Sequence, residues 1–161
     1  MPLLLSVVVL TQQWYAAKPD EVSTVRPGEV VRLFKRGGLT PKGLYFSLVT
    51  VTSNHKVFIK DRDGNFSAKL SDASHQKLYQ ALQLTNWDVL RANRRQESYP
   101  PSAHDATDIY LSARVSSGIQ RWNNVQWHEP EDFQLKLVLD EITQEAKKKS
   151  LKKAAGGNLT L

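Results

Sequence analysis

The sequence of 161 residues contains no cysteine. Disulfide bonds, thiolate zinc sites and cysteine nucleophiles are therefore excluded, although the lack of cysteine does not identify the cellular compartment. A chain of this length can bury an ordinary core, so folding requires neither a disulfide nor a metal ion. Apolar residues make up 40% and charged residues 24% of the sequence, which is typical of one globular domain.

The common catalytic motifs are also absent from the sequence. None of the four histidines has the His-Glu-x-x-His spacing that places two zinc ligands on one helix face. There is no Gly-x-Ser-x-Gly nucleophile turn and no Gly-x-x-x-x-Gly-Lys-Ser/Thr phosphate loop. The carboxylate pairs Asp61/Asp63 and Glu131/Asp132 are explained by a turn and a helix start. We therefore predict no catalytic residues, no metal site, no cofactor and no enzyme activity.

No apolar run is long enough to cross a membrane. The longest covers residues 3–10, whereas a membrane span needs about 20 residues. Its length and the small residues Ala16 and Ala17 are typical of a signal peptide, but nothing basic precedes Lys18. Two interpretations remain open, a signal peptide and a buried strand or docking segment. Export to the periplasm or out of the cell is the favoured localisation, and residues 18–28 are predicted to form a linker.

Positive charge is concentrated near the end of the chain. Five lysines and no acidic residue lie between Lys147 and Lys153, and without them the rest of the chain is almost neutral despite its net charge of +6. Such a segment can contact phosphate or an anionic surface, or simply keep the protein in solution. Because no nucleic-acid-binding motif accompanies it, we predict a disordered basic tail over residues 147–161. Nucleic acid is not the favoured partner, and salt-dependent binding through residues 147–153 stays a minor alternative.

Between these ends, the hydrophobic pattern predicts one domain over residues 29–146. Alternating and β-branched segments predict strands that begin near Glu29, Leu44, Lys56, Asn65, Ile109 and Ile119. Helical spacing of apolar residues predicts two helices, one from Asp72 to about Gln83 after the N-cap Ser71, the other from Pro130 to about Lys149. Strands grouped apart from helices indicate an α+β fold with an antiparallel sheet of about five or six strands and two helices.

Several features occur in an ordered series along this domain. A basic residue and a glycine pair follow the first strand, in LysArgGlyGlyLeu at 35–39, and Gly43 precedes a long strand. A hairpin at Asp63-Gly64 and the Leu70-Ser71 start of a short helix come next. The series ends with Asp-x-Tyr at 108–110 and a helix that carries Leu135 and Leu139. In this order the features resemble the emfourin-like family, small bacterial proteins related to an inhibitor of thermolysin-type metallopeptidases.

The resemblance implies a non-catalytic, protein-binding module whose partner is a metallopeptidase and whose contacts come from the glycine loop. We therefore predict Arg36, Gly37, Gly38 and Leu39 as partner-binding residues. The loop departs from the family pattern, because Leu39 replaces an aromatic residue and extra residues lengthen the gap to Gly43. This departure means that the target of this chain can differ from that of the family.

Trp122 is the further candidate for a partner contact. Trp122 and Trp127 are five residues apart and, on a strand, point to opposite faces of the sheet. We expect one of the two in the core and the other at the surface, where an aromatic ring offers a large contact area at low entropic cost. We take Trp122 as the partner-binding member of the pair.

The alternative function is that of an accessory structural subunit of a larger assembly. In that case residues 1–17 would be retained and would dock the chain, and the basic segment would meet an acidic neighbour. The intact mass of the native protein separates these cases, because a signal peptide is removed and a docking segment is kept. The oligomeric state and the identity of the partner are not determined by the sequence.

Overall fold

The computed structural model describes residues 19–40, 43–88, 107–123 and 131–156. They form six strands and three helices in a mixed order along the chain. The elements are α1 (Pro19–Ser23), β1 (Glu29–Thr40), β2 (Gly43–Thr52), β3 (Lys56–Asp61), β4 (Gly64–Lys69), α2 (Asp72–Leu84), β5 (Thr107–Val115), β6 (Gly118–Asn123) and α3 (Glu131–Gly156). The predicted α+β class with an antiparallel sheet is confirmed.

The six strands form one sheet in the order β4-β3-β2-β1-β5-β6, and every neighbouring pair is antiparallel. β1 is the longest strand and lies near the middle, between β2 and β5. Short connections join β1 to β4 as consecutive hairpins, whereas β5 pairs with β1 after the chain has passed through α2. The sheet therefore combines local hairpins with one long-range pairing.

The two long helices cover one face of the sheet, which we call the inner face. Successive strand residues point to opposite faces, so Val31 and Leu33 of β1 are buried towards the helices while Arg32 and Phe34 point away. The helices contribute a shared apolar stripe to this core, formed by Leu78, Ala81, Leu82, Leu135, Val138, Leu139, Ile142 and Ala146. The side that carries Arg32 and Phe34 is the outer face.

The start of α2 follows the predicted capping pattern. The side chain of Ser71 accepts a hydrogen bond from the backbone N–H of Ser74 at 3.1 Å, and Asp72 lies in the first turn. Both features stabilise a helix N-terminus, where N–H groups lack partners and the helix dipole is positive. The helix expected from Asp72 to about Gln83 is observed from Asp72 to Leu84.

The last helix is longer than the sequence pattern predicted. We expected it to end near Lys149, with disorder in residues 147–161, but α3 continues to Gly156. Lysine and alanine are good helix formers, and Lys147 is held against the sheet by Asp61 at 2.5 Å. The lysine-rich segment is thus the last part of a helix up to Gly156, and residues 157–161 lie outside the described residues.

The predicted linker is also part of the fold over the residues that are described. Ser23 and Val25 are buried, and α1 packs against β1 and β5. The hydroxyl of Ser112 donates to the carbonyl of Ser23 and accepts from the N–H of Val25 at 2.8 Å. Proline and glycine in this segment mark turns correctly, but they carry no information about whether the chain between them packs on the sheet.

Candidate functional site

The predicted contact residues Arg36 to Leu39 lie within β1 rather than in a loop. Pairing with β2 continues to Thr40 opposite Gly43, so the loop expected from Gly37 to Gly43 is wrong. The register shifts between Gly37 and Leu39, and Gly37 has a φ of 113°. The glycines therefore form a β-bulge, in which a positive φ favours glycine, and this bulge lets the strand continue.

The β1–β2 hairpin extends beyond both neighbouring strands. β3 pairs with β2 from Ser47 onwards, and the described part of β5 pairs with β1 only up to Gly37. Among the described residues, the hairpin end formed by 38–40 and 43–46 has no further strand beside it. At about 3.3 Å per residue, the three residues after Gly37 extend roughly 10 Å past the last described pairing with β5.

Arg36 lies on the outer face at the base of this projection. Its guanidinium carbon is 5.7 Å from the centre of the Tyr110 ring, and its Nε is 3.9 Å from a carboxylate oxygen of Asp108. The cation–π contact and the ion pair fix the side chain in one direction. Part of the Arg36 side chain stays accessible, so its positive charge is presented beside the hairpin.

Trp122 does not lie at the surface. It is 1% exposed and pairs across β5 and β6 with Leu111, which places both side chains in the core on the inner face. Its predicted position as an exposed contact is therefore wrong, because the register of β6 turns it towards the helices. Trp127, the other member of the pair, lies outside the described residues.

The pair Asp61/Asp63 belongs to the β3–β4 turn and its contact with α3. Lys147 Nζ lies 2.5 Å from Asp61 and 3.4 Å from Asp63. Asp61 also accepts a hydrogen bond from the N–H of Asp63 at 2.9 Å, which closes the turn. Burial alone would lower the pKa of Lys147, but hydrogen bonds and attraction from the two carboxylates raise that pKa above its ordinary value. The pair thus belongs to the turn that the sequence predicted, and it also forms a contact with α3 that the sequence did not predict.

Two histidines form a stacked pair where the β2–β3 turn meets α2. The rings of His55 and His75 are 3.8 Å apart, and His55 Nδ1 lies 3.0 Å from Asp72. His75 Nε2 is 3.3 Å from the carbonyl oxygen of Thr52, and Tyr79 packs edge-on against its ring.

In the described part of the chain, no group of three or more His, Cys, Asp or Glu residues could hold a metal ion. His104 and His128 lie outside the described residues.

Sequence reasoning missed a groove lined by lysines from three elements. It lies at the β4 edge of the sheet, has a volume of about 340 Å3, and is lined by Lys56, Phe58, Ser67, Ala68, Lys69, Lys149 and Lys153. The hairpin signal at residues 63–64 implied that β3 and β4 pair, which could have placed Lys56 near Lys69. The position of α3 along this edge is a tertiary feature that the sequence pattern does not contain.

The fold and the site define a small α+β protein with an extended hairpin and a basic groove. No protein-family model matches this chain, and no curated protein sequence matches it. The emfourin-like resemblance thus stays a hypothesis based on the ordered features described above. Among the residues described, no helix combines the length and the apolar character that crossing a membrane requires.

Proposed function

We propose that this chain is a non-catalytic protein-binding module that presents the β1–β2 hairpin to its partner. The observation that carries the proposal is that, among the described residues, this hairpin extends beyond its pairing with β3 and with β5. Its end is bounded by a glycine bulge and remains a paired ribbon to Thr40 and Gly43. A preformed ribbon loses little conformational entropy when it binds, which favours tight contacts from a small area.

The proposed partner is a thermolysin-type metallopeptidase, which follows from the emfourin-like resemblance. An extended hairpin is a suitable shape for an active-site cleft, because peptidases bind their substrates as extended chains. Gly37 and Gly38 allow close approach of the backbone, Leu39 offers an apolar side chain, and Arg36 adds a positive charge at the base of the ribbon. Because the ring of Trp122 is buried, the proposed contact surface no longer includes Trp122 and consists of the hairpin alone.

An inhibition assay against a thermolysin-type peptidase tests the proposal. We expect the wild-type chain to inhibit at micromolar concentration, and we expect Leu39→Ala and Arg36→Ala to weaken inhibition by about tenfold each, since a contact of ~1.4 kcal/mol corresponds to a factor of ten. Arg121→Ala is the matched control, because Arg121 is an exposed arginine on the outer face of β6, away from the hairpin. It should inhibit as strongly as the wild type.

Two outcomes would contradict the proposal in different ways. Absence of inhibition by the wild-type chain at micromolar concentration removes the metallopeptidase as partner. Inhibition that is unchanged in both hairpin variants, which must first be shown to be folded by circular dichroism, removes the hairpin as the contact surface.

A further inference from the structure

We propose that the lysine groove at the β4 edge is a binding site for a phosphate group. Lys56 comes from β3, Lys69 from β4, and Lys149 and Lys153 from α3. Their convergence on one groove of about 340 Å3 is a property of the folded protein, because residues that are far apart in sequence supply the charges. Lysine ammonium groups bind phosphate as strongly hydrated point charges, each with three donors.

The arrangement of Lys56 and Lys69 is electrostatically unfavourable without an anion. The two residues are direct cross-strand partners in the β3–β4 pair, where side chains lie about 5 Å apart at the β-carbon, and like charges in this position destabilise a sheet. Lysine on an edge strand discourages pairing with other chains, which accounts for Lys69. It does not account for a second lysine directly opposite on β3, whereas a shared anionic ligand accounts for both.

The groove contains little compensating negative charge. Within the described part of the chain, no carboxylate lines it, and none forms an ion pair with Lys56, Lys69 or Lys153. Glu145 pairs with Lys149 at 2.5 Å and also accepts a hydrogen bond from Ser74 at 2.7 Å. Lys149 in turn donates to the carbonyl oxygen of Lys69 at 3.2 Å, which positions it at the groove. The ammonium groups of the other three groove lysines have no carboxylate partner among the residues that the structure describes.

The apolar part of the groove indicates what accompanies the phosphate. Phe58 is 47% exposed beside the lysines, and Ser67 and Ala68 complete the lining. A ligand with a phosphate group and an apolar portion would contact both the ammonium groups and the aromatic ring. Free phosphate compounds and phosphorylated lipid headgroups share this chemistry, and the experiment below separates them.

The test compares two double variants on the same helix. Lys149→Gln/Lys153→Gln removes two groove lysines, whereas Lys148→Gln/Lys152→Gln removes two exposed lysines that do not line the groove. Both lower the net charge equally. Pyrophosphate is titrated at constant ionic strength, and binding is followed by amide chemical shifts and by the increase in Tm. In a parallel arm, the three proteins are mixed with phosphatidylcholine vesicles that do or do not contain phosphatidylinositol 4-phosphate.

We expect binding to weaken at least about tenfold in the groove variant and less than about twofold in the control, where tenfold corresponds to ~1.4 kcal/mol. If only the groove variant loses binding to pyrophosphate, the ligand is a free phosphate compound. If only the groove variant loses binding and this is seen with the vesicles alone, the ligand is a lipid headgroup. Equal loss in both double variants would show diffuse charge attraction and overturn the proposal. Binding in neither arm by the wild-type protein would overturn it as well.

A single substitution gives an independent readout. Lys69→Gln should raise the Tm in phosphate-free buffer, because it relieves the repulsion with Lys56, and it should reduce the Tm increase caused by pyrophosphate. A lower Tm together with an unchanged response to pyrophosphate would refute the site.

Discussion

His75 shows how one buried side chain is tuned by its surroundings. Burial disfavours the charged imidazolium, which is the largest influence, and the neighbouring His55 adds repulsion. The hydrogen bond with the carbonyl of Thr52 and the charge of Asp72 act in the opposite direction, yet the pKa of His75 is lowered from 6.5. Tyr79 is the remaining titratable group packed against the ring. The folded protein therefore favours neutral His75.

We predict from this shift that the protein loses stability in mild acid. Below pH 6.5 the unfolded chain binds a proton at His75, whereas the folded protein keeps His75 neutral to lower pH. The contribution of neutral His75 to the free energy of unfolding is therefore fully present above pH 6.5 and is lost as the pH falls through the lowered pKa of the folded protein. His75→Phe removes the titrating group and with it the pH-dependent contribution of residue 75 to stability. Urea unfolding between about pH 7 and about pH 5 should show a smaller loss of stability in the variant than in the wild type. The same loss in both proteins would refute the assignment to His75.

At the scale of elements, the contact between α3 and the β3–β4 hairpin depends on Lys147. Its ammonium group meets Asp61, whose side chain is 9% exposed, and lies 5.0 Å from the centre of the Phe66 ring. Ala146 is the last buried residue of α3, and the helix after it is largely exposed. Lys147 therefore attaches α3 to the sheet edge at the point where its buried part ends. The same attachment holds Lys149 and Lys153 beside the groove.

Lys147→Met should destabilise the protein by about 2 kcal/mol, because it leaves the nearly buried carboxylate of Asp61 without its cation while the aliphatic stem is kept. Lys148→Met is the control. It changes the adjacent and exposed lysine, and a shift of less than about 0.5 kcal/mol is expected. Urea denaturation of the two variants provides the comparison. Equal losses of stability in the two variants would mean that Lys147 acts only through the net charge of the helix and not through its contact with Asp61.

At the scale of the whole molecule, Arg32 links the N-terminal segment to the outer face of the sheet. It is 6% exposed and forms two hydrogen bonds with the carboxylate of Glu29, at 3.0 and 2.8 Å. It also donates to the carbonyl oxygen of Val22 at 2.7 Å. Burial alone would raise the pKa of Glu29, but hydrogen bonds from Arg32 and from the N–H of Arg26, together with their charges, lower it. The hydrogen bond from Arg32 to Val22 thus joins α1 to β1, and the ion pair with Glu29 within β1 holds the guanidinium in place for it.

Arg32→Met should destabilise the protein by about 3 kcal/mol, since the carboxylate of Glu29 loses its partner in a largely buried position. It should also release residues 19–28, which limited proteolysis would detect as earlier cleavage in this segment than in the wild type. Arg121→Met, on the exposed part of β6, should change neither property. Cleavage at the wild-type rate together with unchanged stability would show that other contacts hold α1.

Local sequence patterns were sufficient for the six strands and the two long helices, whereas α1 was missed because its residues were assigned to a linker. Alternation on β1 and β5, the capping serine at Ser71 and the apolar stripe of α3 predicted the antiparallel α+β class, because each depends on residues near one another in the chain. The bounds were less predictable. Gly37 and Gly38 looked like a loop, and only the pairing of β1 with β2 shows that they form a bulge within a strand.

Composition and residue spacing are enough to establish the absence of cysteine chemistry, the strand and helix periodicity, and the excess of lysine near the end of the chain. Only the folded arrangement shows that Trp122 is buried, that α1 and Val25 pack on the sheet, and that Lys149 and Lys153 line one groove with Lys56 and Lys69. Periodicity reports which side of an element is apolar, but not which element it meets. Contacts between segments that are distant in the sequence depend on strand register and helix placement, which are set by the packing of the whole core.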